Sequence, residues 1–161
     1  MSAAQRSPWH VGVLVADLDK AVAELGVSIG TTFTPPAVVR FEHVEDPDPR
    51  AVDIRVAFSR GAVPQLELIE GPPGEGIYSL ATYGPGLHHL GYWEDDIDRR
   101  FPERVRAGST CVAKVVGPDG GLVAWYGTTA ASPGVLAEYI DAGARLAIEA
   151  FVATGDVSHL G

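Results

Sequence analysis

The hydrophobic and polar positions of the first half of the chain predict one compact unit. The apolar run HVGVLVA predicts a buried strand, and residues 17–26 carry apolar side chains at helical spacing, with Asp17 as the N-cap and Gly26 as the end of the helix. Three further strand patterns follow, AVVRFEHVE, AVDIRVAFS and PQLELIE. Residues 8–70 therefore read as a β-α-β-β-β module.

The same order returns after a linker rich in Gly and Pro at residues 71–86. The second half offers the strand HHLGYWE, the helix DIDRRFPERVRAG, which Pro102 bends or shortens, and the strands TCVAKVV, GLVAWYGT and GVLAEYID. These patterns predict a second β-α-β-β-β module over residues 87–141. Residues 142–161 add an amphipathic helix, about residues 142–153, that packs outside the sheets or at a dimer contact, and a frayed tail. The predicted fold class is α+β, with two tandem modules and a C-terminal helix.

The two modules also match residue by residue. When His10 is aligned with His89, Gly12 falls on Gly91, and the pairs Asp17 with Asp96 and Asp19 with Asp98 follow. In the last strand of each module, LELIE aligns with AEYID, which places Glu67 on Glu138. Each half thus supplies one histidine at the start of its first strand and one glutamate inside its last strand.

This matched set of side chains indicates a divalent-cation site. A lone carboxylate in an apolar strand is costly to bury, so it needs a partner or a metal ion. Taken singly, each His is typical of a core or edge residue, and each Glu of a solvent-facing position. The register across the repeat favours the metal, with about two open positions left on an octahedral ion. Gly12 and Gly91 would keep the space beside the ligands clear.

Composition limits the partners and the compartment. Hydrophobic residues make up 46% and charged residues 20%, which is typical of a globular protein. The net charge of −9 argues against nucleic acid or an anionic membrane as the main partner. The single cysteine, Cys111, fits a reducing compartment. No apolar run has transmembrane length. The N-terminal stretch MSAAQRSP lacks the apolar core of a signal peptide. The sequence predicts a soluble cytoplasmic protein with a small-molecule substrate.

The segments HVGVLVADLDKA, LELIE, GLHHLGYWEDDID and GVLAEYID resemble the vicinal oxygen chelate superfamily. This superfamily includes glyoxalase I, methylmalonyl-CoA epimerase, extradiol dioxygenases, fosfomycin-modifying enzymes and bleomycin-binding proteins. The resemblance covers about residues 8–141 and is strongest to the glyoxalase- and epimerase-like members. It implies paired modules whose sheets curve around a metal site, and often a homodimer.

The resemblance also implies roles for individual residues. The metal ligands would be His10, Glu67, His89 and Glu138, and His88 would point to the other face or lie at the rim of the site. Two substrate oxygens would chelate the ion, which could be Mg, Mn, Co, Ni, Fe or Zn. Glu138 is the candidate general base for a lyase or isomerase that passes through an enolate.

Weaker candidates for the base are Glu42 and Glu45, for which plain solvent exposure is the alternative. Substrate-binding candidates are Trp93, Arg55 and Trp125. The aromatic residues could equally fill the core, and one of Trp125 and its neighbour Tyr126 must face inward. Arg55 could equally form a structural ion pair with Asp53.

Two other functions compete with the lyase or isomerase hypothesis. An extradiol-type dioxygenase would use two His and one carboxylate, so that a fourth ligand at Glu67 crowds the face needed for oxygen and catechol. A non-catalytic small-molecule binding or resistance protein would not need the four ligands that this chain keeps. No basic patch for the phosphates of a CoA thioester is evident in the sequence.

Overall fold

The computed structural model describes residues 6–61 and 63–160, so residues 1–5 of the stretch MSAAQRSP, Ala62 and Gly161 lie outside the described residues. The fold is α+β, as the alternation of strand and helix patterns predicts. The eight strands are β1 (His10–Leu14), β2 (Ala37–Glu45), β3 (Pro49–Phe58), β4 (Gln65–Glu70), β5 (Gly86–Glu94), β6 (Ser109–Val116), β7 (Leu122–Thr129) and β8 (Ser132–Asp141). The helices are α1 (Leu18–Ser28), α2 (Leu80–Tyr83), α3 (Ile97–Arg106) and α4 (Arg145–Thr154).

The strands form one strongly curved sheet that closes into a barrel. Their order is β1-β4-β3-β2-β6-β7-β8-β5, so the order in the first half, 1-4-3-2, returns in the second half as 5-8-7-6. The antiparallel pair of β1 and β5 joins the halves along one seam, and a short contact of Val44 with Val115 and Glu45 with Lys114 joins β2 and β6 along the other. Both halves of the barrel therefore come from the same chain.

Two helices cover the outside of the barrel. Asp17 caps α1 as predicted, because its carboxylate accepts a hydrogen bond from the backbone N–H of Lys20. The prediction that Gly26 ends this helix was wrong, since α1 continues to Ser28 and the turn follows at Gly30, whose φ is +64°. A glycine inside a helix costs only about 1 kcal/mol, and α1 recovers more than that by packing Leu18 onto the outer face of the sheet.

The C-terminal segment differs from the sequence prediction. Helix α4 does not pack outside the sheets, because Phe151 and Val152 are buried in the same apolar cluster as the inward-facing residues of the barrel. It lies across the end of the barrel where β1 and β4 begin and β5 ends. Up to residue 160 the tail after α4 is not frayed, since Val157–Leu160 form a 3₁₀ turn and Leu160 packs against the core. A continuous apolar surface at this end explains why the extra helix folds there.

The linker between the halves also contributes to the core. Ile77 and Tyr78 are buried, and α2 follows with Ser79 as its N-cap. Among the described residues, no helix has both the length and the apolar character needed to cross a membrane.

Candidate metal centre

Strand register brings the four predicted ligands into two adjacent rows across the barrel. In one row, Glu67 on β4 lies opposite Gly12 on β1, which lies opposite His89 on β5. In the next row, His10 on β1 lies opposite Gly91 on β5, which in turn lies opposite Glu138 on β8. Each row therefore carries one histidine, one glycine and one glutamate, and the two halves of the chain contribute to both rows.

The glycines give the imidazole rings their space. A Cβ atom on Gly12 would overlap the ring of His89, and a Cβ atom on Gly91 would overlap the ring of His10. Any other residue at either position would push a ring out of the site. The sequence expectation that these glycines keep the ligand space clear is confirmed.

The four side chains converge, and one ligand atom from each lies within 4.8 Å of the others. The Nε2 atoms of His10 and His89 are 2.7 Å apart. Oε2 of Glu67 lies 3.2 Å from each Nε2, and Oε2 of Glu138 lies 3.1 Å from His10 and 3.2 Å from His89.

These separations fit a metal ion. Neighbouring ligand atoms on an octahedral ion with bonds of about 2.1 Å would lie about 3.0 Å apart. Two neutral imidazoles and two carboxylates are also the donors that first-row divalent ions and magnesium accept. The residues present could therefore hold a divalent cation.

Burial and charge set the protonation of the cluster in the absence of a cation. Burial alone would lower the pKa of His89, but Glu138 and Glu67 outweigh burial and raise it to about 9. The pKa of His10 is raised against the same burial effect, chiefly by the charge of Glu67. Burial would raise the pKa of both glutamates, and the two imidazoles lower it instead. In the metal-free cluster the pKa of the imidazoles is thus raised and that of the carboxylates is lowered, and the two Nε2 atoms at 2.7 Å have room for one hydrogen between them.

Glu138 is held by a pair of tyrosines that point into the barrel. Tyr126 lies directly opposite Glu138 on β7, and its hydroxyl donates to Oε1 of the carboxylate at 2.5 Å. The hydroxyl of Tyr78 lies 2.9 Å from that of Tyr126. Because the Tyr126 hydrogen is committed to the carboxylate, Tyr78 donates to Tyr126. One oxygen of Glu138 therefore faces the cluster while the other is fixed by a chain of two hydroxyls.

The structure places His88 beside the site, the second of the two positions expected for it. Strict alternation would send His88 to the outer face, yet it is buried and its Nδ1 lies 2.9 Å from Nδ1 of His89. The cause is a β-bulge: Gly12 pairs with His89 and the next residue, Val13, pairs with Leu87, which leaves His88 as the extra residue. Both imidazoles consequently lie inside the barrel.

Trp125 is not at the site, which corrects the prediction of a substrate-binding role. It lies on the outer face of the sheet, where its ring stacks on Tyr139 at 4.7 Å and meets Phe101 of α3 at 5.1 Å. Tyr126, its neighbour, is the residue that faces inward. The sequence did not reveal the parity because bulges interrupt the pairing of β7 with both of its neighbours.

Arg55 also lies outside the barrel, again in contrast to the predicted role. Its guanidinium donates to Glu70 at 2.9 Å and to Asp19 of α1 at 2.8 Å. Asp53, the expected partner, pairs with Arg40 instead. Along β3 the inward positions belong to its buried aliphatic residues, so that Arg55 is left beneath α1 on the outer face.

Trp93 does face inward and lines a cavity of about 470 Å³ between the end of the barrel and α4. Its ring stacks on Trp9 at 4.5 Å, and Trp9 in turn meets the ring of His10 edge-on at 4.2 Å. Arg60 and Arg145 also line this cavity. The sequence named Tyr126 only as the alternative to Trp125. Trp9 and Tyr78 were not selected, and only the position of Trp9 beside His10 offered a signal.

The weaker base candidates lie away from the cluster. Glu42 is exposed and bonds to Arg40, while Glu45 accepts from Lys114 at the β2–β6 seam. Plain solvent exposure, the alternative stated for both residues, holds for Glu42, whereas Glu45 is half-buried and pairs with Lys114.

The family described as the glyoxalase/bleomycin resistance protein/dioxygenase superfamily matches residues 7–125 of the chain. Among curated proteins, none matches the sequence.

Solved structures share the fold at low identity. A methylmalonyl-CoA epimerase from Mycobacterium tuberculosis aligns with a TM-score of 0.64 and 22% identity, over 92% of this chain and 97% of that one. A hypothetical protein from Bacillus halodurans C-125 aligns with a TM-score of 0.61 and 18% identity, over 85% and 93%. A Streptomyces coelicolor methylmalonyl-CoA epimerase in complex with 2-nitronate-propionyl-CoA gives 0.59 and 18%, over 85% and 95%. At these identities the likeness extends to the fold alone.

Proposed function

Because the chain belongs to the glyoxalase/bleomycin resistance protein/dioxygenase superfamily, we propose that it is a metal-dependent isomerase or lyase. Its reaction moves a proton at a carbon next to a carbonyl group of a small oxygenated substrate. The observation that carries this proposal is the convergence of His10, Glu67, His89 and Glu138, drawn from matching positions of both halves, within 4.8 Å.

The chemistry divides between a cation and the side chains. A divalent ion held by the four ligands would act as a Lewis acid toward negative charge developing on a substrate oxygen, and an octahedral ion would leave two positions for the substrate. The ligand imidazoles must give up their protons before a cation can be held. Glu138 and Glu67 are then the two carboxylates within reach of a substrate that sits in the barrel.

Glu138 is the general base in this proposal. Its Oε2 faces the cluster and its Oε1 is anchored by Tyr126, so the carboxylate can take a proton on the cluster side without losing its orientation. A bound cation would keep the pKa of Glu138 low in place of the imidazolium charges, so the carboxylate would act as the base only where its Oε2 leaves the ion. Within the described part of the chain, no hydroxyl donates to Glu67, which serves as a ligand.

The cavity beside Trp93 is the proposed approach to the site. It is lined by Trp9, which contacts the ligand His10, and by the guanidinium groups of Arg60 and Arg145. Stacked indoles favour a flat or apolar portion of the substrate, and Arg60 favours an anionic portion, whereas Arg145 is paired with Glu149 at 2.7 Å in the same cavity lining. Acyl thioesters of anionic carriers meet both requirements, as do other carboxylated or phosphorylated carbonyl compounds.

The direct test is solvent deuterium entering the α-carbon of a substrate. The classes to be compared are 2-hydroxyketones, 2-oxoaldehyde hemithioacetals and acyl-CoA thioesters. Exchange with one class that a chelator abolishes and a divalent ion restores is the expected result. Oxygen consumption with catechols and Fe(II), without exchange, would replace this proposal by a dioxygenase. Absence of both, with a small molecule still bound, would replace it by a binding protein.

Two substitutions identify the base. Glu138→Gln keeps an oxygen for the cation but cannot accept the proton, so we expect bound metal to be retained and turnover to fall by about two to four decades. Glu67→Gln is the matched control, since it makes the same chemical change at the equivalent position of the other half. Equal losses of turnover in the two variants would contradict the assignment of Glu138.

The remaining features of the proposal concern assembly and location. The family resemblance favours a homodimer, although all four ligands lie in one chain. Light scattering at micromolar concentration tests it, and a monomer would contradict it. The single cysteine, Cys111, supports the cytoplasm as the compartment.

A further inference from the structure

The bulge in β5 places two consecutive imidazoles inside the barrel. His88 and His89 are 3% and 0% exposed, and their Nδ1 atoms are 2.9 Å apart. A β-bulge is an extra residue that breaks the pairing of a strand and redirects its side chain. Without the bulge, His88 would alternate to the outer face, and His89 would lose this contact.

The contact fixes where the hydrogen atoms of both rings lie. The other nitrogen of His89, Nε2, faces Glu67 and Glu138. A neutral imidazole that offers the Nε2 lone pair to a cation carries its hydrogen on Nδ1. Two nitrogens at 2.9 Å need one donor and one acceptor. Nδ1–H of His89 must then donate to Nδ1 of His88, and His88 carries its own hydrogen on Nε2.

We propose that His88 is the positioning residue of the metal centre, which accepts a hydrogen bond from the ligand His89 and thereby fixes its tautomer and ring orientation. This inference rests on the proposed function, because it assumes that the cluster holds a cation. Ligand histidines commonly donate their second N–H to a carboxylate, a carbonyl or water. Here a neutral imidazole takes that place, and the peptide bond that links the two residues sets the distance.

The surroundings of His88 support this role. Its ring meets Tyr83 edge-on at 4.8 Å and lies near Tyr78 and Tyr126 at 6.4 and 6.1 Å between ring centroids. These rings confine the imidazole and keep its Nδ1 directed to His89.

The two halves of the chain therefore support their ligands differently. Nδ1 of His10, the equivalent ligand, is buried and has no hydrogen-bond partner among the described atoms. The ring of His10 is held by packing against Trp9. His89 is consequently the ligand whose geometry is defined before a cation arrives.

The test compares two substitutions of His88 for their effect on metal affinity. In His88→Asn, Oδ1 stands as many bonds from the backbone as Nδ1 and can accept the same hydrogen bond. In His88→Phe, a ring of similar size remains but the acceptor is lost. Loss of a partner to a ligand histidine typically weakens metal binding by about 10- to 100-fold. We expect His88→Phe to lose affinity for Mn²⁺ by that factor and His88→Asn to stay within about threefold of the natural protein. Chelator competition provides the measurement.

Controls separate this role from a general effect on folding. His43→Phe makes the same change at a half-exposed histidine whose ring bonds to Glu45 at the surface, and it should leave affinity unchanged. Thermal unfolding of the metal-free variants shows whether each one folds. If His88→Phe binds as tightly as the natural protein, or if the Asn and Phe variants lose affinity equally, the inference is overturned.

A second measurement does not depend on the variants. In ¹⁵N-histidine-labelled natural protein loaded with Zn²⁺, long-range ¹H–¹⁵N correlations should show a hydrogen on Nδ1 of His89 and on Nε2 of His88. A metal bond through Nδ1 of His89, or a hydrogen on Nδ1 of His88, would overturn the inference while leaving metal binding intact. Failure of the natural protein to bind any divalent ion would instead overturn the proposed function, and this inference with it.

Discussion

Loading of the metal centre should release protons, because the metal-free cluster stores them on its imidazoles. The pKa of His89 is raised to about 9 by Glu138 and Glu67. At pH 7 this imidazole is almost fully protonated, two pH units below its pKa. Each unit corresponds to about 1.4 kcal/mol, so the competing proton costs about 2.7 kcal/mol, or about 100-fold in metal affinity. The pKa of His10 is also raised, but the Nε2 atoms of the two rings are 2.7 Å apart and have room for only one hydrogen between them, so we expect about one proton to leave per ion.

Isothermal titration calorimetry with Mn²⁺ measures this number. The observed heat should vary with the ionisation enthalpy of the buffer, with a slope equal to the number of protons released. Affinity should rise about tenfold per pH unit between pH 6.5 and 8.5. Heat that is independent of the buffer, together with affinity that is constant over this range, would show that the imidazoles are already neutral. The assigned ion pairs of the metal-free cluster would then be wrong.

Three further outcomes are expected. The metal-free protein should lose about 3 kcal/mol of stability as the pH rises from 6.5 through 9. The pKa of His89 in the folded protein lies above its unfolded value of 6.5, so the protonated imidazole stabilises the fold fully only below pH 6.5. A denaturation midpoint that stays level or rises over this range would contradict the prediction. Gly91→Ala should cost about 1–3 kcal/mol of stability and weaken metal binding, because the added Cβ overlaps the ring of His10. The control Gly134→Ala has open space around it and should change stability by less than about 0.5 kcal/mol. If urea denaturation and chelator competition show equal effects for the two variants, the close packing at Gly91 is refuted. Glu94 is a fully buried carboxylate that pairs with two arginines, Arg104 among them at 2.6 Å. Glu94→Gln removes its charge and should cost about 1–3 kcal/mol of stability while leaving metal affinity unchanged. A loss of metal affinity as large as the loss of stability would show that this ion pair is coupled to the metal site.

The sequence by itself determined the repeat and, through it, the candidate ligands. His10 and Glu67 recur at equivalent positions as His89 and Glu138, and side chains that alternate along equivalent strands must reach equivalent places in a symmetric barrel. The α+β class and the order of elements in each half followed from hydrophobic periodicity, because each strand and helix buries one face. The need for glycine at positions 12 and 91 followed from the same alignment.

Only the tertiary structure decided what depends on contacts between distant segments. A one-residue bulge turns His88 inward, and bulges beside β7 leave Tyr126 rather than Trp125 facing the site. Local periodicity cannot locate such bulges, because they are set by the partner strand. Tyr78 comes from a linker without a pattern, and Arg55 found its carboxylates on α1 and β4. Helix α4 was recognisable as amphipathic, but the apolar surface that it covers exists only once both halves of the barrel have closed.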